Sequence, residues 1–355
     1  HWQPRRQRQM CIRDSDYTFL KAGIDFDLNS KASVRLEFNK SDFDRLSYGR
    51  FGTTAYYAQV EALKLNSKYT VNQNNIAFIG VETKSENYNG TYAPSSANSV
   101  SEVSYFVQNE FKANSNTTLL AGLRIDDNQE FGTHGTYRLT ANYVSQQMPG
   151  LIFKSSIGTG FRAPSLSEIY GDGTGNQNLK PETSFGYDFG FINYFSNQVS
   201  YGSTYFVSEI NDAITSAWPN PYYNAEGVSE RDGIETFINF YPNDNAEIKL
   251  SHTHLMTDEE VLVRRPNNTL TVAGNYRIDK QLSIFGNLNA VEEHFDAGSV
   301  VINSYEVINL GIDYSVNNSS SLNLKINNVT DEDYEQIAGY PGLPRQVFLG
   351  LNYKF

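Results

Sequence analysis

The sequence predicts an all-β fold, an antiparallel up-and-down transmembrane β-barrel. Three observations predict it: apolar residues at every second position, an aromatic-rich but aliphatic-poor composition, and connections that alternate between short and long. Among 355 residues, 39% are hydrophobic and 14% aromatic, including 24 Tyr and 22 Phe. A soluble enzyme of this length carries a larger aliphatic share. Mean hydropathy is negative and no run of about eighteen apolar residues occurs, which excludes a transmembrane helix. A membrane-spanning barrel stays open, because only every second residue faces lipid and the hydropathy signal is diluted. A net charge of −12 leaves no basic stripe to neutralise phosphates, so nucleic acid is not an expected partner.

The alternation is read strand by strand. Leu119, Ala121, Leu123 and Ile125 oppose Gly122, Arg124 and Asp126; Phe185, Tyr187, Phe189 and Phe191 oppose Gly186, Asp188 and Gly190. Ile308, Leu310, Ile312 and Tyr314 oppose Asn309, Gly311 and Asp313. At the end, Val347, Leu349, Leu351, Tyr353 and Phe355 are expected to face lipid, with Asn352 and Lys354 towards the lumen.

One apolar and one polar face fit a sandwich as well as a barrel, and the connections separate the two. Short turns are expected near 29–32, 70–74, 113–116, 146–150, 196–198, 242–246, 278–280 and 316–319. Longer polar loops are expected near 44–54, 87–98, 128–134, 162–181, 211–227, 258–267, 293–304 and 329–344. That rhythm is the meander of an outer-membrane barrel, with short turns inside and long loops outside. It gives about seventeen strands, mostly of about ten to fourteen residues, a length suited to tilted membrane-spanning strands.

The barrel is expected to be incomplete. The last strand follows a long loop and the first, near 17–28, precedes a short turn, so both run towards the periplasm. A complete bacterial barrel has an even number of strands with both ends on that side. An odd number is therefore expected upstream, and about five more would reach the roughly 22 of plugged outer-membrane transporters. Residues 1–15 hold four Arg against one Asp, lack alternation and carry the only cysteine, Cys11. No apolar run follows those charges, so they do not form a signal peptide. They read as a non-native junction, and 16–355 as the barrel.

Several motifs stand at strand ends. Phe161-Arg162-Ala163-Pro164 closes one strand, and Asn178-Leu179-Lys180-Pro181-Glu182 opens the next across the longest loop. Pro164 stops a ladder because it has no N–H, Pro181 is tolerated at a strand's first residue, and Asn178 can close an Asx turn. Ile326-Asn327-Asn328-Val329-Thr330-Asp331-Glu332-Asp333-Tyr334 precedes the last strand, which ends in the aromatic Phe355. Arg264-Arg265-Pro266 and Gly233-Ile234-Glu235, the latter after Asn224, complete the set. Together these resemble the sequence boxes of TonB-dependent receptors, over about residues 16–355. Arg124-Ile125-Asp126-Asp127-Asn128 with Phe131-Gly132-Thr133-His134-Gly135-Thr136 is very similar to a strand-loop-strand of the cobalamin receptors in that family, as is Tyr222-Tyr223-Asn224-Ala225-Glu226-Gly227. Haem receptors place a His between the first two boxes, and residues 165–177 contain none.

The resemblance implies an outer-membrane active-transport receptor that imports a corrinoid, with a ferric siderophore as the alternative ligand. It implies a plug inside the barrel, the TonB energy-transducing complex and the barrel-assembly machinery as partners, and outer-membrane lipid around it. The plug and its TonB-contacting segment are expected upstream, so energy-coupling residues are not named and the chain alone is not expected to transport. Asn178, Pro181, Glu182, Asp331 and Tyr334 are expected to fix turns and strand ends rather than touch ligand. Trp218, Tyr222 and Tyr223 lie in an aromatic outer loop and read equally as ligand contacts or as membrane-interface anchors. Cobalamin receptors bind Ca²⁺ through loop aspartates, and Asp42 and Asp44 resemble part of such a cluster. His252 and His254 share a face with Ile248 and Leu250, which suits rim residues better than a metal site. No catalytic residue is expected: no motif places a nucleophile beside a base. A passive porin would share the strand pattern but lack these boxes, and a barrel enzyme would carry catalytic side chains at the rim.

Overall fold

The computed structural model describes residues 12–49, 52–91, 98–171, 174–217, 220–257 and 263–354. In chain order its elements are β1 (Ile12–Asn29), β2 (Ala32–Gly49), β3 (Gly52–Asn72), β4 (Asn75–Gly90), β5 (Asn98–Lys112), β6 (Thr117–Asn128), β7 (Gly132–Val144) and β8 (Leu151–Arg162). A short helix α1 (Leu166–Tyr170) precedes β9 (Glu182–Tyr194) and β10 (Val199–Asn211). Then come β11 (Ile214–Ala217), β12 (Asn220–Asn224), β13 (Val228–Asn243), β14 (Ala246–Leu255), β15 (Asn268–Arg277) and β16 (Leu282–Val291). The chain continues through β17 (His294–Asp296), β18 (Val300–Ile302), β19 (Tyr305–Asn317), β20 (Ser320–Asn327), β21 (Glu335–Ile337), β22 (Tyr340–Pro341) and β23 (Gln346–Tyr353). One 17-stranded antiparallel sheet holds the long strands; β11–β12, β17–β18 and β21–β22 are separate two-stranded hairpins within the loops. Among the described residues no helix is long and apolar enough to cross a membrane.

Each expected short turn is present, and one device closes them all. A side-chain oxygen at the turn's first residue accepts a backbone N–H two or three residues on. Asn29, Asn72, Asn114, Asn243, Asp279 and Asn317 do so through carboxamide or carboxylate, Ser145 and Ser196 through hydroxyls. These side-chain acceptors tighten the turn, which is why Asn, Asp and Ser recur there; the 146–150 turn also uses Gly150 at φ +88°.

Two compact units make up the chain: residues 1–140, 158–185 and 210–229 form one, and 141–157, 186–209 and 230–355 the other. In the first unit, β1 to β6 pair consecutively, with Leu36 opposite Leu65, Ile79 opposite Val107 and Tyr105 opposite Ile125 on the apolar face. Its other face carries ion pairs: Lys21–Glu37 at 3.0 Å, Arg35–Asp25 at 3.4 Å and Arg124–Glu82 at 3.3 Å. In the second unit, β13 to β16, β19, β20 and β23 pair consecutively. Leu349, Leu351 and Val347 are 78, 71 and 63% exposed, whereas Asn352 donates to Asn323 (2.6 Å), which donates to Asp313 (2.5 Å). Leu349, Leu351 and Tyr353 thus share one face and Asn352 lies on the other, as the alternation predicts; Phe355 lies outside the described residues. Exposed apolar surface of this extent on one face of a sheet marks an interaction surface.

The strand lengths differ from expectation. The strands β1 to β5 run 18, 18, 21, 16 and 15 residues. At about 3.3 Å per residue, 18 residues reach about 60 Å, well beyond an apolar band of about 25 Å. The expected loops at 44–54 and 128–134 are largely absorbed into strands, since β3 restarts three residues after Gly49 and β7 four after Asn128. Polar pairing extends the ladders past the apolar band: Lys40 meets Glu61 at 2.9 Å and Asp42 accepts from Gln59 at 2.7 Å. The hydrophilic composition that marks a loop also suits a strand standing clear of lipid. At the other end of the chain, β1 already begins at Ile12, inside the segment whose composition sets it apart.

Candidate functional site

The two boxes around the longest loop meet in space. Arg162, the last residue of β8, forms an ion pair with Glu182, the first of β9, and a second with Glu168 at 3.1 Å. Glu182 also accepts from the Ile214 N–H at 2.6 Å, tying in β11. Glu168 is the third residue of α1 and completes a capping box with Ser165. That capping box is legible as Ser-x-x-Glu, a signal the sequence reading passed over along with the helix. Pro164, Leu166, Ile169 and Leu179 are buried beneath this loop.

Asn178 does not close the turn before β9. It is Asn176 whose side-chain oxygen Oδ1 receives the Asn178 N–H, at 2.9 Å, while its Nδ2 donates to the Tyr222 carbonyl at 2.8 Å. The Tyr222 N–H returns a bond to Thr174 O at 2.8 Å. Asn224 accepts from the Lys180 N–H at 2.9 Å and donates to the carbonyls of Lys180 and Asp212. The loop after α1 and the β11–β12 hairpin are thus stitched into one outer body. Pro181 and Glu182 act as strand-end residues within it. Tyr223 is 46% exposed, Tyr222 is half-buried with its main chain engaged, and Trp218 lies outside the described residues.

The Arg-x-Asp-Asp-Asn strand is an internal lattice. Arg124 donates to Asp126 (2.7 Å), Ser104 (2.7 Å) and Glu82 (3.3 Å). Asn128 donates to Glu102 and accepts from the N–H groups of Glu130 and Phe131, so it shapes the turn into β7. Just beyond it, His134 stacks on Phe161 with ring centroids 4.0 Å apart. Ser104, Asp126 and Asn128 are all buried.

In the second unit the last long loop is fixed by Asn328 and Asp331. Asn328, buried and at φ +50°, donates from its side chain to the carbonyls of Glu332 and Leu343 and accepts from the Glu332 N–H. Asp331, at φ +58°, accepts from the Arg345 N–H at 2.7 Å. Tyr334 tilts against Tyr305 with centroids 4.8 Å apart. Nearby, Asp296 is 3% exposed and joins three segments: it pairs with Arg264 at 2.5 Å and accepts from the N–H groups of Ala297 and Ala338. The Arg264 guanidinium, then these two N–H groups, hold its carboxyl at about 2, below the ordinary 3.8. Asp296 carried no sequence signal; only the fold brings it under Arg264.

The remaining candidates are not assembled into sites. Asp42 accepts from Gln59 and from the Tyr57 hydroxyl, and Asp44 is exposed beside it. Among the described residues no group of three or more His, Cys, Asp or Glu converges on a point, whereas Ca²⁺ takes about six to eight oxygens. His252 and His254 both bond the Asn268 side-chain oxygen, at 3.2 and 2.9 Å. Their ring nitrogens serve the β14–β15 pairing at the rim.

Two cavities of the second unit differ in chemistry. A trough of about 600 Å³ opens where Gly274 faces Gly286, flanked by Ile248, Tyr276, Ile284 and Ile312. It lies on the apolar face, and hydrocarbon fits it better than a polar nutrient. The other, about 520 Å³, lies on the polar face beneath the last long loop, between Thr271, Asn289, Asn309, Asn327 and Tyr334.

Comparison with known proteins places this architecture. The chain is 27% identical over 247 residues to the vitamin B12 transporter BtuB of Vibrio cholerae, covering 67% of this chain and 40% of that protein. It is 25% identical over 363 residues to BtuB of Vibrio vulnificus, covering 96% of this chain and 58% of that protein. The chain thus spans about half the length of these relatives. Among solved structures, the FrpB iron transporter of Neisseria meningitidis (F5-1 variant) superposes with a TM-score of 0.79 at 14% identity, over 97% of this chain and 64% of that one. The ferric-catecholate import receptor Fiu of E. coli K12 superposes with a TM-score of 0.79 at 13% identity, over 97% and 64% respectively. Residues 2–329 match the family described as TonB dependent receptor-like, beta-barrel, and the chain belongs to that family.

Proposed function

We propose that this chain is the barrel of a longer outer-membrane receptor that imports a corrinoid of the cobalamin type, with energy drawn through TonB. The observation that carries the ligand reading is its 25–27% identity to vitamin B12 transporters. The iron and siderophore receptors resemble it at 13–16% identity and speak for the fold alone. Family membership favours transport over catalysis.

In this reading the apolar face meets outer-membrane lipid, and the barrel-assembly machinery inserts the chain. The outer body formed by the α1 loop and the β11–β12 hairpin meets ligand first. The test is equilibrium binding of cyanocobalamin, against a panel of ferric siderophores, to outer membranes carrying the receptor from its complete gene. Saturable cyanocobalamin binding is expected. Tight siderophore binding without corrinoid binding would make the siderophore the cargo.

A further inference from the structure

The polar faces of the two units are chemically unlike. In the first it is a lattice of paired charges, Arg124 with Glu82 and Asp126, Lys21 with Glu37. In the second, the end beneath the last long loop sets neutral amides and hydroxyls among apolar side chains such as Leu270, Val291, Val307 and Leu343. The cleft of about 520 Å³ there has Thr271, Asn289, Asn309, Asn327 and Gln346 along its strands. No carboxylate lines it, and Lys325 is its one cation, with no ion pair to any described residue. Strand register explains the convergence: with side chains alternating, residues opposite one another on β15, β16, β19, β20 and β23 send these groups to one face.

The cleft is preformed. Its roof is the loop held by Asn328, which bonds both Glu332 and the Leu343 carbonyl, while its own N–H donates to Asn309 at 3.0 Å. Tyr334 rests on Tyr305 and leaves no room for a side chain at Gly342, whose added Cβ would lie 2.4 Å from the Tyr334 ring. The Asn328-x-x-Asp331-x-x-Tyr334 motif therefore does more than end a strand: it sets the ceiling of a polar cavity.

The amides beneath it are incompletely used. Thr271 donates to the Asn289 oxygen at 3.1 Å, which leaves the Asn289 Nδ2 without an acceptor among the described residues. Asn327 keeps its side-chain oxygen enclosed with no donor among the described residues, so a small turn of that amide towards a ligand N–H gains a bond. Neutral groups that both donate and accept match a ligand doing the same, since Asn pairs with a carboxamide through N–H···O bonds in both directions.

We infer that this cleft is a ligand subsite on the polar face that reads carboxamide arms, engaging one edge of a corrinoid as it passes the β20–β23 loop. The inference rests on the corrinoid reading of function. Its volume suits two or three arms and not a whole macrocycle. A ligand presenting carboxylates or catecholates in place of amides would find one lysine and no other cation.

The experiment uses the receptor from its complete gene and two probes that differ in their arms. Dicyanocobinamide ends in carboxamides; the heptamethyl ester of dicyanocobyrinic acid ends in methyl esters that donate no hydrogen bond. The wild-type receptor is expected to bind the amide form at least about tenfold more tightly, because a polar site left unpaired rejects the analogue. In Asn289→Leu/Asn327→Leu that preference should fall to about threefold or less, with the ester form bound as well as before. Should the leucines impair folding, judged by heat-modifiable migration, Asn289→Thr/Asn327→Thr keeps the volume polar and should lower the preference part way. An undiminished preference in the folded variants overturns the subsite and leaves the import reading intact. A wild-type receptor that binds neither corrinoid overturns both.

Discussion

Asn328 concentrates more structural work than its size suggests. It takes φ +50°, which Asn tolerates better than most residues, and satisfies two carbonyls and an N–H of one loop. Asn328→Ala would keep the unfavourable φ and remove three part-buried hydrogen bonds, at about 0.5–1.5 kcal/mol for each. The expected outcome is faster proteolytic nicking within 329–344 and loss of hydrogen-exchange protection at the Glu332 amide, with the rest of the sheet unchanged. Asp296 makes the second residue-scale case. Because folding lowers its pKa from 3.8 to about 2, its contribution is present above the ordinary value and is lost as pH falls from about 4 towards 2. The protection factor of the Ala338 amide, its exchange rate relative to the intrinsic rate at the same pH, should therefore fall across that window. In Asp296→Asn the protection should already be low at pH 7 and stay low below.

At the scale of elements, the sequence was most legible where chemistry is local. Asn29, Asn72, Asn114, Asn243, Asp279 and Asn317 sit where a turn needs a side-chain acceptor, and each turn appears there. The face of β23 followed from the alternation of Leu349 and Leu351 with Asn352. Legibility failed where polar composition has two outcomes: residues 44–49 are hydrophilic and still extend β2, because β3 supplies partners for them. It failed again for the Arg162–Glu182 pair and the Arg264–Asp296 pair, whose members lie 20 and 32 residues apart. Glycines on the polar face show a further rule of register. Gly80 lies opposite Phe106 and Gly311 opposite Phe285, and in both an added Cβ would come 2.2 Å from the ring. The aromatic lies flat over the glycine and shields backbone that has no side chain of its own. Gly311→Val is expected to destabilise by about 1–3 kcal/mol through overpacking. Phe285→Ala in the same chain should recover a good part of that loss, seen as a return of the heat-modification midpoint. Strictly additive losses would mean the two residues are not coupled.

At the scale of the whole molecule, the proposed function gives the apolar face to lipid and the polar face and the loops to ligand. In the proposed reading the outer body makes the first contact, and Asn176, Asn224 and Glu182 fix the α1 loop and the β11–β12 hairpin before any ligand arrives. A rigid body loses little entropy on binding, so aromatic side chains displayed from it convert contact area into affinity efficiently. Tyr223 is displayed in this way, whereas Tyr222 is held by its main chain with the ring half-buried. Replacing Trp218, Tyr222 and Tyr223 together by Ala in the complete receptor should weaken cyanocobalamin binding at least about tenfold, equivalent to about 1.4 kcal/mol. Because Tyr222 is bonded through its backbone N–H and carbonyl, the alanines leave the stitching of the outer body in place. A fall in affinity can then be read as lost contact and not as lost structure. Replacing the three by Phe separates ring contact from hydroxyl and indole N–H: affinity retained there and lost in the alanine variant assigns the effect to aromatic area. Unchanged affinity in a folded alanine variant would make these residues anchors at the membrane interface, with ligand contact moved to the other outer loops.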